Sequence, residues 1–266
     1  EKKRFELTTM VSFFSKAAAI LLLPVLALSI YLVIDNQRLG SIAQNTLQEV
    51  SALPGTRTHF TLPDGTEVWL NSGSTLTYPL QFEREQRTTK LVGEGYFKVL
   101  SDKKRPFVVE TAHLNVLVTG TELNVESYPG DSVSLVTLIN GKAAVLTDAN
   151  KTINLKPNQC VTLDNSTQKY AVNKVDAALY GMWKDGILAF RYETLDHIMK
   201  RIGRTYNVDI RIKDPVLAKQ KYRATFEEES LQQILKALSI AAPVKYLQYT
   251  DDSGGFRKEI IEVYRK

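Results

Sequence analysis

The sequence predicts one transmembrane helix, then an all-β domain of sandwich or jelly-roll type, then a small α+β domain of β-α-β-β-α-β order. Three observations carry this. Residues 17–34 run for eighteen positions without a charge. Residues 53–175 alternate short apolar stretches with turn residues. Residues 180–266 place two amphipathic helical periods among further strands.

The membrane segment reads AAAILLLPVLALSIYLVI from Ala17 to Ile34. At 1.5 Å per residue such a helix is about 27 Å long, close to the hydrocarbon thickness of a bilayer. Lys2, Lys3, Arg4 and Lys16 precede it, whereas Asp35, Asn36, Gln37 and a single Arg38 follow. The positive-inside rule puts residues 1–16 in the cytoplasm and everything beyond residue 35 across the membrane. A cleaved signal peptide is the competing reading, with small residues at Ala27 and Ser29, but the apolar run continues to Ile34. Pro24 removes one helical hydrogen bond; it is either a tolerated kink or a weak point for an intramembrane protease.

Residues 36–52 read as a linker or short membrane-proximal helix. In the β domain, Pro63-Asp64-Gly65 marks a tight turn between Thr58–Leu62 and Glu67–Leu70. Asn71-Ser72-Gly73-Ser74 ends that strand. Strands are then expected at 90–92, 95–100, 107–111, 115–118, 123–127, 133–139 and 143–146, with a hairpin turn at Asn140-Gly141. In the last domain Thr194 caps a helix whose Leu195, Ile198, Met199 and Ile202 share one face. Ser230 with Gln233 forms a capping-box pattern opening a second helix, with Leu231, Ile234, Leu235 and Leu238 on its inner face. Strands are expected at 187–190, 208–212, 222–226, 245–249 and 259–264, with a turn at 251–255.

The bulk composition, 44% hydrophobic and 24% charged in 266 residues, is that of folded protein and excludes disordered and collagen-like classes. The net charge of +5 is scattered apart from the cluster beside the membrane segment, so it reports topology rather than nucleic-acid binding. Cys160 is the only cysteine, so no intrachain disulfide forms. His59, His113 and His197 lie in different elements with no metal-ligand spacing. Gly93-Glu94-Gly95 lacks the third glycine and following helix of a phosphate loop. Trp69 and Trp183 are expected to anchor one core each. No cofactor and no enzyme active site are expected.

The β segment resembles the FecR domain through six motifs in order. They are Thr61-Leu62-Pro63-Asp64-Gly65-Thr66; Val68-Trp69-Leu70-Asn71 with Ser74; Tyr78-Pro79 with Arg87; Gly93-Glu94-Gly95-Tyr96-Phe97-Lys98-Val99; Arg105-Pro106-Phe107-Val108-Val109; and Val118-Thr119-Gly120-Thr121-Glu122-Leu123-Asn124-Val125. Tyr96 and Leu123 stand where the family often has Ala and Phe, and Lys156-Pro157-Asn158-Gln159 replaces a Pro-Gly turn. The tail, with Trp183-Lys184-Asp185-Gly186, Leu188, Phe190 and Arg204-Thr205-Tyr206-Asn207-Val208, is similar to the C-terminal domain of FecR regulators of Bacteroidetes type. That domain is related to the secretin and TonB short N-terminal fold.

The resemblance implies a transmembrane anti-sigma regulator in the inner membrane of a Gram-negative bacterium, with its N-terminus cytoplasmic and its later domains periplasmic. Its implied partners are the signalling domain of an outer-membrane TonB-dependent transporter and an extracytoplasmic-function sigma factor. The latter is held by a cytoplasmic domain expected upstream of Glu1. A lone helix transmits conformational change poorly, which favours regulated proteolysis by periplasmic and intramembrane proteases. Some family members cut themselves at the Gly-Thr matched by Gly120-Thr121, the hydroxyl attacking the preceding carbonyl; the alternative is that this pair only shapes a tight turn. The rival function is a membrane-tethered module for a periplasmic glycan or other ligand, which would need an aromatic-lined groove.

Overall fold

The computed structural model describes residues 22, 24–34, 46–149, 151–251 and 258–266. The chain parts into two compact units, residues 1–47 with Pro79–Gln81, and Gln48–Tyr78 with Phe82–Lys266. In the first, residues 24–34 are helical with exposed side chains. Among the described residues no helix is long and apolar enough to cross a membrane. Part of the expected span, the 1–16 stub, most of the linker and most of the 251–255 turn lie outside the described residues. The linker's end is not helical: Leu47–Ser51 is a strand, β1.

Thirteen strands form one curled sheet whose two halves face each other. One half runs β11 (Thr152–Leu155), β10 (Ala143–Thr147), β7 (Leu114–Val118), β6 (Phe107–Glu110) and the start of β5 (Arg87–Lys98), with β4 (Thr75–Pro79) alongside. The other runs β2 (Thr58–Thr61), β3 (Glu67–Leu70), the end of β5, β8 (Glu122–Ser127), β9 (Val133–Asn140), β12 (Gln159–Asp164) and β13 (Tyr170–Lys174). Leu76, Leu91, Phe107, Val116 and Val145 from the first half meet Val68, Phe97, Val125, Val136 and Val161 from the second in one core. The expected sandwich-like layer is therefore present as a single sheet folded on itself.

The fold turns on β5. Sequence reading breaks it into two strands at its glycines; the structure keeps one strand that leaves β4 and β6 and joins β3 and β8. Gly93 is the corner, with φ +106, and a Cβ there would lie 2.4 Å from Ser74 Oγ and 2.8 Å from Ser74 Cα. The Ser74 hydroxyl fills that space and accepts the Glu94 N–H at 2.8 Å. Gly93→Ala is expected to cost about 1–3 kcal/mol through this overlap and the backbone strain. A shift of the urea midpoint measures it, and an unchanged midpoint would sink the corner argument.

A 3-10 segment, Ala177–Asp185, joins this domain to the next. The α+β domain comprises β14 (Ile187–Thr194), α1 (Leu195–Tyr206), β15 (Asp209–Ile212), α2 (Pro215–Ala218), β16 (Lys221–Glu227), α3 (Leu231–Ala241), β17 (Val244–Asp251) and β18 (Lys258–Arg265). Both predicted helix starts hold: Thr194 accepts the His197 N–H, and Ser230 and Gln233 form the reciprocal capping box. The expected single sheet is instead two, β14-β16 and β15-β18-β17, and α2 is additional. Leu195, Ile198, Met199, Ile202, Ile234, Leu235, Leu238 and Ile261 fill the second core.

Candidate functional site

Strand alternation puts Phe97, Val125 and Val136 into the β core, so their neighbours Glu94, Tyr96, Asn124 and Glu126 point out of it. On a free sheet that outer face would be wet. Here Glu94 and Glu126 are 2% and 3% exposed, because the 3-10 segment and α1 cover them. This buried polar seam between the β domain and the α+β domain is the candidate site.

α1 supplies the cations. His197, Arg201 and Arg204 fall at i, i+4 and i+7, beside the apolar stripe that enters the second core. His197 Nε2 lies 3.2 Å from Glu126 Oε1, and its Nδ1 lies 2.8 Å from Glu193 Oε2. Two carboxylates facing both ring nitrogens are satisfied only by the imidazolium. Burial alone would lower the His197 pKa, but Glu126 and Glu193 override it and push it up to about 10. Arg201 reaches Glu193 at 3.4 Å, and its guanidinium covers the Phe190 ring. Arg204 bridges Glu126 at 3.4 Å and Asp131 at 2.6 Å, with its Cζ 3.7 Å from the Tyr128 ring centroid.

Glu193 reaches this cluster through a β-bulge. The β14–β16 register slips between Arg191 and Glu193, with Tyr192 at φ +57. Tyr192 swings to solvent, and Glu193 takes the slot on the Phe190 side that strict alternation would give to residue 192.

Two carboxyls of the β domain respond in opposite senses. Burial raises the Glu94 pKa, and the neighbouring Glu126 charge adds to it, against the Arg201 charge and the hydrogen bonds from Asn71 and Asn124. For Glu126, burial also acts upward, but His197, Arg201 and Arg204 outweigh it and hold the carboxyl well below its usual value. Asn71 and Asn124 donate to the two Glu94 oxygens at 2.7 and 3.0 Å, and the Trp183 indole donates to Asn124 Oδ1 at 3.0 Å. The 71–74 loop completes the seam: Ser72 Oγ donates to the Arg204 carbonyl at 2.7 Å, and Tyr128 donates to the Ser72 carbonyl. The void beside Glu193 and Arg201 is only about 10 Å³, room for about one water. The seam holds charge and protons and joins two bodies; a cavity of about 340 Å³ opens beside Tyr128, Lys200 and Arg204, and one of about 390 Å³ beside Asn71, Ser72 and Trp183.

Other predicted residues go elsewhere. Trp69 is not a core anchor: it stacks on His59 at 4.2 Å and meets Tyr96 edge-on, on the outer face of the sheet. Trp183 belongs to neither apolar core and wedges between the bodies. His113 sits in the turn between β6 and β7. The Cys160 thiol is buried, which raises its pKa to about 11. Among the described residues no group of His, Cys, Asp and Glu is arranged to hold a metal. Gly120, at φ +151, precedes Thr121, whose hydroxyl donates to the Lys142 carbonyl at 2.9 Å. The structure brings His197 together with Glu126 and Glu193, a convergence that the spacing of the histidines in the chain does not reveal. The sequence signal was its basic helical stripe with Lys200, Arg201 and Arg204, which reads equally as a solvated face.

A β domain and an α+β domain are thus joined across a charged, largely buried seam. The family model described as FecR protein matches residues 48–144, and that described as FecR, C-terminal matches residues 187–253. The chain belongs to the FecR family of anti-sigma regulators. Two crystal structures of a candidate anti-sigma factor from Parabacteroides distasonis ATCC 8503, at 1.65 and 2.50 Å resolution, share the fold with TM-scores of 0.75 and 0.74. They are 27% and 28% identical to this chain, cover 82% and 83% of it, and are themselves covered to 99% and 100%. No curated protein matches the chain. The family role is anti-sigma regulation and signal transduction, with a sigma factor as partner in general.

Proposed function

We propose that this chain is a single-pass inner-membrane anti-sigma regulator, anchored by residues 17–35 with its later domains in the periplasm. It relays the loading of an outer-membrane TonB-dependent transporter to an extracytoplasmic-function sigma factor, and regulated proteolysis makes the signal irreversible. The observation that carries the reading is the open edge of β17. In the order β15-β18-β17 this strand pairs on one side only among the described residues, and Tyr246, Leu247 and Tyr249 are exposed along it. An extended segment of a partner adds to such an edge. β18 is central in its sheet, and β16 exposes Lys221, Arg223 and Glu227, charges that guard an edge.

The test is capture of the transporter's signalling domain by residues 36–266. Leu247→Lys, at an exposed position, is expected to weaken capture at least tenfold with the unfolding midpoint unchanged. Undiminished capture by this variant would move the receiving site off β17. Retention of a glycan with no capture of the signalling domain would favour the tethered binding module. Such a module would use the cavity of about 390 Å³ beside Trp183, where Trp183 is 2% exposed and Tyr206 is the other aromatic side chain in the lining.

Self-cleavage at Gly120-Thr121 is a separable part of the proposal. Recovery of the wild-type chain uncut would retire it; fragments that vanish in Thr121→Ala would establish it.

A further inference from the structure

We infer that the seam is a reversible latch: the α+β domain undocks from the β domain as a rigid body, turning about Gly186 and separating α1 from the β5–β8 face. Three observations converge on this. First, the two apolar cores are separate clusters, and apart from the Trp183 wedge the α1 side of the seam is made of ion pairs and hydrogen bonds. Polar interfaces of this kind separate without exposing apolar surface, as transient ones do. Second, Trp183 itself is tied to the β domain, while Leu179 and Tyr180 of the same segment lie beside Ala189 and Arg191 of β14. The Trp183 indole is fixed to Asn124, the Trp183 carbonyl accepts Arg57 Nη1 at 2.6 Å, and Gly181 rests against Tyr96. The next flexible position is Gly186, with φ +93, one residue before β14 begins. Third, the charges across the seam are complementary: Glu126 and Asp131 of the β domain face His197, Lys200 and Arg204 of α1, while Glu193 and Asp196 stay with α1 and pair with His197, Arg201 and Lys200. A partner that holds the open state through α1 is therefore anionic where it meets Arg204.

The inference goes beyond the proposed relay and does not depend on a transporter as the source of the signal. Its test is hydrogen exchange on the full chain. Arg204→Glu sets a carboxylate against Glu126 and Asp131, and is expected to speed exchange at least tenfold in α1 and in residues 71–74. Peptides of β6–β7 and of α3–β18 should keep wild-type rates. An ideal Cβ at Gly55 stands 3.3 Å from Asn207 Cβ, near the roughly 3.5–4.5 Å that a disulfide spans. Both positions have positive φ, so the reduced Gly55→Cys/Asn207→Cys pair is the control for strain. Oxidising that pair in the Arg204→Glu background should restore slow exchange at the seam.

If Arg204→Glu does not fold, the wild-type chain in increasing sub-denaturing urea serves: the seam should lose protection before either core. Cores and seam opening together, or seam exchange unmoved by Arg204→Glu, overturns the latch. Seam opening without capture of a signalling domain leaves the latch standing and removes the relay.

Discussion

Replacing His197 with Leu is expected to lower the unfolding free energy by about 3–5 kcal/mol at pH 6, towards the lower end because Arg201 and Arg204 remain nearby. The loss comes from two carboxylates, Glu126 and Glu193, left in the seam without the imidazolium that hydrogen-bonds to both and offsets part of their charge. The pH dependence tests the cause. The folded pKa of His197 is raised from 6.5 to about 10, so its stabilisation is whole below pH 6.5 and is lost as pH rises through about 10. The gap between wild type and variant, read from urea unfolding, is therefore widest near pH 6 and closes towards pH 10. A gap that stayed constant across this range would mean the ring works by packing, not by charge.

Asp64→Ala should cost about as much, roughly 3–5 kcal/mol, at the other end of the β domain. Asp64 Oδ2 pairs with Arg87 Nη1 at 2.7 Å, with the two side chains 5% and 1% exposed. Asp64 also accepts the N–H and hydroxyl of Thr66, closing the turn that sequence reading placed at Pro63-Asp64-Gly65. Arg87 also donates from Nε to the Arg105 carbonyl and from Nη1 to the Leu100 carbonyl, whereas its buried Nη2 has no hydrogen-bond partner among the described residues and the guanidinium lies against the Phe107 ring. Removing the acid strands a guanidinium that cannot shed its proton. Asp64→Asn keeps the turn but not the charge, so it should fall between Ala and wild type. The double variant Asp64→Leu/Arg87→Met, with no charge left to strand, should recover much of the loss. Additive single losses would argue that the pair is not an energetic unit.

These two predictions give physical content to several family motifs. Asp64 and Arg87, far apart in the chain, brace the start of β5. Asn71, Ser74, Glu94 and Asn124 instead build the seat on which the second domain rests.

Much of the element order was legible. Both helix caps, the Pro63-Asp64-Gly65 turn and most strand positions follow from local chemistry, in which a few neighbouring residues fix φ and satisfy backbone donors. The hairpin expected at Asn140-Gly141 is instead a crossover between the two halves of the sheet: β9 pairs with β8 and β12, and β10 with β7 and β11. The missed elements share a cause. β4 and β11 alternate but are only five and four residues long, β12 does not alternate cleanly, and β13 and β1 are mostly exposed, so each is a strand because a neighbouring strand pairs with it. β5 was divided because glycine usually interrupts a strand, whereas here Gly93 lets the strand change partners. The seam was the least legible part. Glu94 and Glu126 carry the pattern of an outward, solvated face, and so does the basic stripe of α1.

The sequence by itself determined the strand-rich domain, its α+β successor and the family, because periodicity, caps and turn motifs are encoded within a few residues of where they act. Only the tertiary structure decided that Glu126, Glu193 and His197 form one buried charge cluster. These residues come from β8, β14 and α1, and docking alone takes all three out of water. That removal turns ordinary surface charges into a strongly coupled ionic contact.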